Sequence, residues 1–316
     1  MKKKITITFG VLAILFIVGS LFASNYFYNE SVKRGVEVEL HKEEADVNKK
    51  ASPEDQSLME EARRWYNEQS PEILEITSYD DLILKAKYIK NSKETDKAVI
   101  LAHGYRKDSN EMGHLAKFYF DEGFDVLLPD ARGHGESEGD YIGYGWHDRF
   151  DYKEWIRLLM DEHNIDQIVL HGNSMGASLV LMTSGEELPE EVKAIVADSG
   201  YTTVKEELTH QLKHLYNLPS FPLLDMTSLM TKLRAGYTFE EASAIDQVRK
   251  NKLPLWIVHG EDDDLVPVWM AHELYEAAGG EKELWIVPDS GHIKGYENRT
   301  GEYQQRLREF LSQSVH

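Results

Sequence analysis

Ile168-Val169-Leu170-His171-Gly172-Asn173-Ser174-Met175-Gly176-Ala177-Ser178 is the stretch that decides how this chain folds. Its opening apolar run, Ile168 to Leu170, has the length and composition of a buried parallel strand. Gly172 to Gly176 fits Gly-x-Ser-x-Gly, and Ala177, Leu179, Val180, Leu181 and Met182 follow as an apolar helical pattern. Three fixed positions match often by chance; the flanking strand and helix set this match apart. In that context the serine sits on a sharp, strained turn, and its hydroxyl projects from the strand end. A Cβ at Gly172 or Gly176 would collide with the neighbouring strand and helix. The helix that begins after Ser174 aims unpaired N–H groups and a partial positive charge at the space in front of it.

Working outward, strands and helices alternate from Ala98 onward. Strands are expected at Ala98–Ala102, Phe124–Leu128, Gln167–Leu170, Ala194–Ala197, Leu255–His259 and Leu284–Val287. Helices are expected near Asn110–Glu122, Asp148–His163, Met175–Glu187, Val268–Ala278 and Glu302–Ser314. This pattern predicts an α/β fold with a mostly parallel sheet covered by helices on both faces. Upstream, Ile73–Ile76 and Leu82–Ile89 read as an antiparallel hairpin. Ser52-Pro53-Glu54-Asp55 starts a helix that runs to about Tyr66, with Ser at the N-cap and Pro at the first helical position. Between Tyr201 and Lys252 about fifty residues stand where one crossover helix would suffice. They read as an inserted helical cap over 201–252, with Pro219 and Pro222 between its helices.

The chain has 316 residues, a net charge of -20 and no cysteine. The charge argues against nucleic acid, since the phosphate term would be repulsive. Without cysteine there is no disulfide, thiolate metal site or cysteine nucleophile. Lys2, Lys3 and Lys4 precede an uncharged, mostly apolar run from Ile5 to Ser24. About 20 helical residues cross a hydrocarbon core. The lysines would stay cytoplasmic and the rest would lie outside. Residues 1–24 are therefore read as a signal anchor, 25–51 as a juxtamembrane linker and 52–316 as the main domain. Cleavage of a signal peptide is the alternative, though Leu21-Phe22-Ala23 and Phe22-Ala23-Ser24 are poor small-x-small sites. A chain starting near Ala51 is expected to be soluble and active.

In an open α/β sheet the site lies beyond the carboxyl ends of the strands. There the chain carries His103-Gly104, then Asp130-Ala131-Arg132-Gly133-His134-Gly135-Glu136-Ser137. Ser174 follows, then Gly260-Glu261-Asp262-Asp263-Asp264-Leu265-Val266-Pro267 and finally Gly291-His292. In these motifs and their order, from roughly Glu72 to the C-terminus, the chain resembles the α/β-hydrolase family. More narrowly it is similar to bacterial membrane-anchored or exported hydrolases described as esterase-like or related to serine aminopeptidases. The resemblance implies Ser174 as nucleophile, Asp263 as the acid and His292 as the base. Met175 N–H, next after the nucleophile, and Tyr105 N–H, after His103-Gly104, are the implied oxyanion donors. Loss of either geometry should cost about 3 kcal/mol of barrier.

Rival readings accompany these. Asp262 and Asp264 flank Asp263 and serve equally well as solvated loop charges, and Asp198 ends a strand where some members of the fold place the acid. His103, His134, His171 and His259 are read as structural. His210 and His214 have helical i, i+4 spacing, but no Glu lies between them and no third ligand is evident, so no metal is expected. Gly133, Gly135 and Gly139 miss the dinucleotide spacing, and no cofactor is expected. The expected activity is carboxylic ester cleavage through an acyl-enzyme, on a small or amphiphilic ester, with the membrane met only through the N-terminal helix. A peptidase, an acyltransferase or a catalytically silent binding protein are the alternatives. The apolar cap either lines an acyl pocket or merely holds itself to the main domain.

Overall fold

The structure is a computed structural model that describes residues 18–36 and 51–316. Among these residues eight strands form one sheet. They are β1 Glu72–Thr77, β2 Ile83–Ile89, β3 Lys97–Ala102, β4 Asp125–Pro129, β5 Gln167–Asn173, β6 Val192–Asp198, β7 Leu255–Gly260 and β8 Lys282–Val287. Their spatial order is β1-β2-β4-β3-β5-β6-β7-β8. The β1–β2 hairpin is antiparallel, β2 also runs antiparallel to β4, and every later pairing is parallel.

The central strands are buried on both faces, and their side chains divide between two apolar layers with the period of two that a pleat requires. Ala98, Ile100 and Ala102 of β3 face one layer, with Ile168 and Leu170 of β5 and Leu255 and Ile257 of β7. Val99, Leu101, Val169, Trp256 and Val258 face the other. Helices α4 (Asp148–His163), α5 (Met175–Thr183) and α9 (Val268–Ala277) cover the first layer. Helices α2 (Pro53–Asn67), α3 (Gly113–Asp121), α10 (Gly295–Asn298) and α11 (Thr300–Leu311) cover the second. Helix α2 starts as its sequence predicts: Ser52 Oγ accepts the Asp55 N–H at 3.1 Å, and Pro53 opens the first turn. Helix α5 is buried on every side, which explains its mostly apolar composition; its buried Ser178 and Thr183 hydroxyls are bonded to backbone. It stops at Thr183 rather than near Glu187, where Ser184 caps it before Gly185.

The insertion after β6 holds α6 (Val204–Tyr216), α7 (Leu223–Ala235) and α8 (Ala244–Val248). At the N-terminus the structure departs from the expected linker. Residues 18–31 are helical (α1), and residues 25–36 pack on the domain instead of leading away from it. Tyr28 and Val32 join the first apolar layer. The Arg34 guanidinium donates to the Ser137, Gly135 and Gly139 carbonyls at 2.6, 2.8 and 3.2 Å. Most of the expected membrane segment, and residues 37–50 of the expected linker, lie outside the described residues. Among the described residues no helix is long and apolar enough to cross a membrane.

Candidate active site

Strand β5 ends at Asn173, and the chain turns into α5 through Ser174 at φ 55° and ψ -117°. A side chain rarely adopts this backbone, and strained residues of this kind cluster at functional sites. The two glycines allow the turn. A Cβ at Gly172 would lie 2.1 Å from the Gly176 carbonyl oxygen, and one at Gly176 would lie 2.1 Å from that of Ala102. Both approaches are far inside contact distance, so helix, turn and β3 close on one another only without side chains there.

Ser174 Oγ lies 2.8 Å from His292 Nε2, and His292 Nδ1 lies 2.8 Å from Asp263 Oδ2. The loops after β5, β7 and β8 thus bring together three residues far apart in the chain. Asp263 is fixed through both oxygens. Oδ1 accepts the Leu265 and Val266 N–H groups at 3.1 and 2.9 Å, and Oδ2 faces His292 and, at 3.2 Å, His259 Nε2. Burial works against ionisation of this carboxyl. The charge of His292 and the hydrogen bonds from His259 and His292 outweigh it and hold Asp263 well below the usual carboxylate range. For His292 burial likewise opposes charge, and Asp263 beside it wins, so the imidazole pKa is raised. With Asp263 ionised, His292 directs Nδ1–H at it, and Nε2 is left to accept the Ser174 hydroxyl proton.

Comparison with known proteins identifies the family. The profile of the serine aminopeptidase family S33 matches residues 93–235. YqkD of Bacillus subtilis, an uncharacterised protein, is 31% identical over 219 residues, which cover 69% of this chain and 72% of that protein. The lysophosphatidylserine lipase ABHD12 of Xenopus tropicalis is 28% identical over 62% of this chain and 52% of its own length. The esterase Pf2001 of Pyrococcus furiosus has a TM-score of 0.65 to this structure at 27% identity, covering 84% of this chain and 96% of that one. The chain belongs to the α/β-hydrolase family.

In this hydrolase the rival acid is engaged elsewhere. Asp198 receives hydrogen bonds from Ser199 Oγ and the Tyr303 hydroxyl at 2.9 and 3.1 Å, and burial raises its pKa. Four other histidines hold structure. His103 accepts the Ala131 N–H, His134 accepts that of Arg106, His171 lies between the Tyr119 and Tyr303 hydroxyls, and His259 Nε2 lies 2.7 Å from the Val266 carbonyl oxygen. His210 Nε2 lies 2.8 Å from the Asp264 carbonyl oxygen, and the His210 and His214 rings stack 5.8 Å apart. The Asp130-to-Ser137 motif serves as a brace. Asp130 accepts the Ser109 and Glu136 N–H groups, and Arg132 pairs with Asp151 and Asp80.

The cleft in front of Ser174 is lined from below by Gly104, Tyr105, Met175 and His292 and from above by α6 and α7. Gly104 N–H is taken by Glu111 Oε2 at 2.7 Å. The Tyr105 and Met175 N–H groups make no hydrogen bond among the described residues. Helix α1 forms another wall, through Phe27, Glu30 and Ser31. Its carbonyls are gripped from the loop below. The Tyr105 and Tyr144 hydroxyls donate to the Ser31 carbonyl at 2.9 and 2.6 Å, and Arg106 donates to that of Glu30 at 2.8 Å. The Phe27 ring meets Tyr216 of α6 edge-on at 5.5 Å. Sequence reasoning missed this wall, together with Glu111, Glu207 and Gln211 at the cleft. No pattern of residue types announces them, because their roles arise from tertiary burial.

Proposed function

We propose that this chain is a serine hydrolase that cleaves carboxylic esters through an acyl-enzyme. The observation that carries the reading is the unbroken relay from Ser174 Oγ through His292 to Asp263, with both contacts at 2.8 Å. Ser174 attacks the ester carbonyl as His292 Nε2 takes its proton. The tetrahedral oxyanion is held by the N–H groups of Met175 and Tyr105. Collapse expels the alcohol, which leaves with the proton carried by His292, and an acyl-Ser174 ester remains. Water then repeats the sequence and releases the acid. Asp263 holds the ring in the productive tautomer and stabilises the imidazolium.

The apolar cleft and the esterase and lipase among its relatives support an ester with a hydrophobic acyl group. A peptidase is the second reading, favoured by the S33 profile. Amphiphilic substrates fit a membrane location, with Ile5 to Ser24 as an outward-inserted anchor. Helix α1 would then continue from the anchor into the wall of the cleft.

The test is fluorophosphonate labelling of the full chain in detergent, followed by a panel of acyl esters with matched amides. The expected result is labelling at Ser174, loss of labelling in Ser174→Ala, and turnover of esters well above amides. Labelling retained by Ser174→Ala would exclude this mechanism, and faster turnover of amides would assign a peptidase.

A further inference from the structure

Two acceptors on one face of α6 are buried in the cleft with nothing to accept. Glu207 and Gln211 are four residues apart, and each is only 8% exposed. Gln211 Nε2 donates to Glu207 Oε1 at 3.1 Å and to the Leu265 carbonyl, which fixes the orientation of the amide. That leaves Glu207 Oε2 and Gln211 Oε1, both buried and without a hydrogen-bond partner among the described residues. An unsatisfied buried polar atom is costly, and native folds keep few of them without a use. Here both belong to side chains that line the same cleft as Ser174 and His292, among Leu208, Leu212 and Leu265. The structural alternative, a carboxyl neutralised by a cation, is not met: no lysine or arginine pairs with Glu207 among the described residues. Burial pushes its pKa up to about 8, with His292 pulling the other way. The group is therefore largely a neutral acid near pH 7, able to donate as well as accept.

Their place in the cleft says which half of the substrate they meet. His292 returns its proton to the leaving oxygen, so the alcohol half of an ester must lie against His292. Glu207 is close enough to His292 for each to shift the titration of the other. We propose that Glu207 and Gln211 form a subsite for a hydroxyl on the alcohol half of the ester, close to the scissile oxygen. The enzyme is then selective for partial esters of a polyol over esters of simple alcohols. The hydroxyl donates to Gln211 Oε1 and accepts from the protonated Glu207 Oε2, while the apolar surroundings take carbon. This inference rests on the ester-hydrolase reading above.

The test compares glyceryl, propyl and 2-(dimethylamino)ethyl esters of one acyl chain, using the full chain in detergent and reading kcat/KM. The wild type should favour the glyceryl over the propyl ester by about 10- to 100-fold, because the propyl ester leaves the buried acceptors unpaired. Glu207→Leu should bring that ratio near one. Glu207→Gln, which keeps size and an acceptor, should retain part of it, and it carries the test if the leucine variant does not fold. A wild-type ratio near one, or a full ratio in Glu207→Leu, would overturn the subsite while Ser174 labelling and propyl ester cleavage leave the hydrolase reading intact. Preference for the dimethylaminoethyl ester over the glyceryl ester would overturn the hydroxyl and assign a cation. Failure to cleave any ester would overturn both.

Discussion

The floor and the roof of the cleft are built in different ways. On the floor, the side chains proposed to react stand at the ends of parallel strands, and neighbouring backbone fixes them. Asp263 takes two N–H groups of its own loop, and Ser174 is held by a turn that two close backbone approaches define. The roof is made of α6 and α7, with α1 as its side wall, and these helices lie on the sheet domain. The roof also leaves large apolar side chains in solvent: Phe22 is 76% exposed, Phe221 75% and Leu233 80%. The proposed chemistry is thus placed where the backbone over-determines position. Selection among substrates would fall to the roof, where surfaces meet.

The sharpest way to break this contrast is at the floor. Ser174→Ala should lower kcat by about 10⁶-fold with an unchanged melting temperature, because a hydroxyl at a strand end contributes little to the core. A large fall in melting temperature would show that the floor is structural rather than chemical. Asp263→Asn should cost about 10⁴-fold in kcat, measured beside Asp198→Asn, which should cost far less. A greater loss in the Asp198 variant would move the acid to β6.

The pH profile sharpens the same point. His292 must be neutral to act as base, and Asp263 raises its pKa. The acid limb of kcat/KM should therefore have its midpoint above about 6.5, the unperturbed histidine value. Asp263→Asn should move that midpoint downward.

The roof predicts smaller effects. Arg34→Ala removes three donations that tie the segment following α1 to the loop 133–139. It should lower kcat/KM for long-acyl esters several-fold and leave short-acyl esters nearly unaffected, as a panel of chain lengths would read. Equal losses across the panel would mean that α1 is not a wall of the acyl site. Smallest, and far from the cleft, Ser52→Ala should cost about 1 kcal/mol of stability through loss of the α2 N-cap, with no effect on kcat.

The floor was legible in the sequence and the roof was not. Strands β3 to β8 announced themselves through apolar runs, and the glycines and acids after them stand where a strand-end site needs them. The roof was legible only as a count of extra residues and a run of leucines. Residues 25–36 read as linker because few side chains, Tyr28, Val32 and Arg34 among them, attach the segment, and the rest of the grip falls on the carbonyls of Glu30, Ser31, Lys33 and Val36. Every residue type carries a carbonyl, so no pattern of side chains marks such a contact. Glu207 is similar. In sequence it is an acid in the first turn of a helix, a common place for one. Only the burial of its side chain in the cleft leaves one of its oxygens, Oε2, without a partner among the described residues.

The docking of residues 18–36 also changes what it means to cut this chain. These residues are joined to the rest twice, once along the backbone and once through Tyr28, Val32, Arg34 and the grip of Tyr105, Tyr144 and Arg106 on α1. A single peptide bond broken between residues 37 and 50 removes only the first of these joints. The two fragments would stay associated as a nicked pair, with the cleft still walled on that side. A chain synthesised from Ala51 onward would lack the wall from the start. Nicking and truncation, which leave nearly the same large fragment, would then give enzymes of different selectivity.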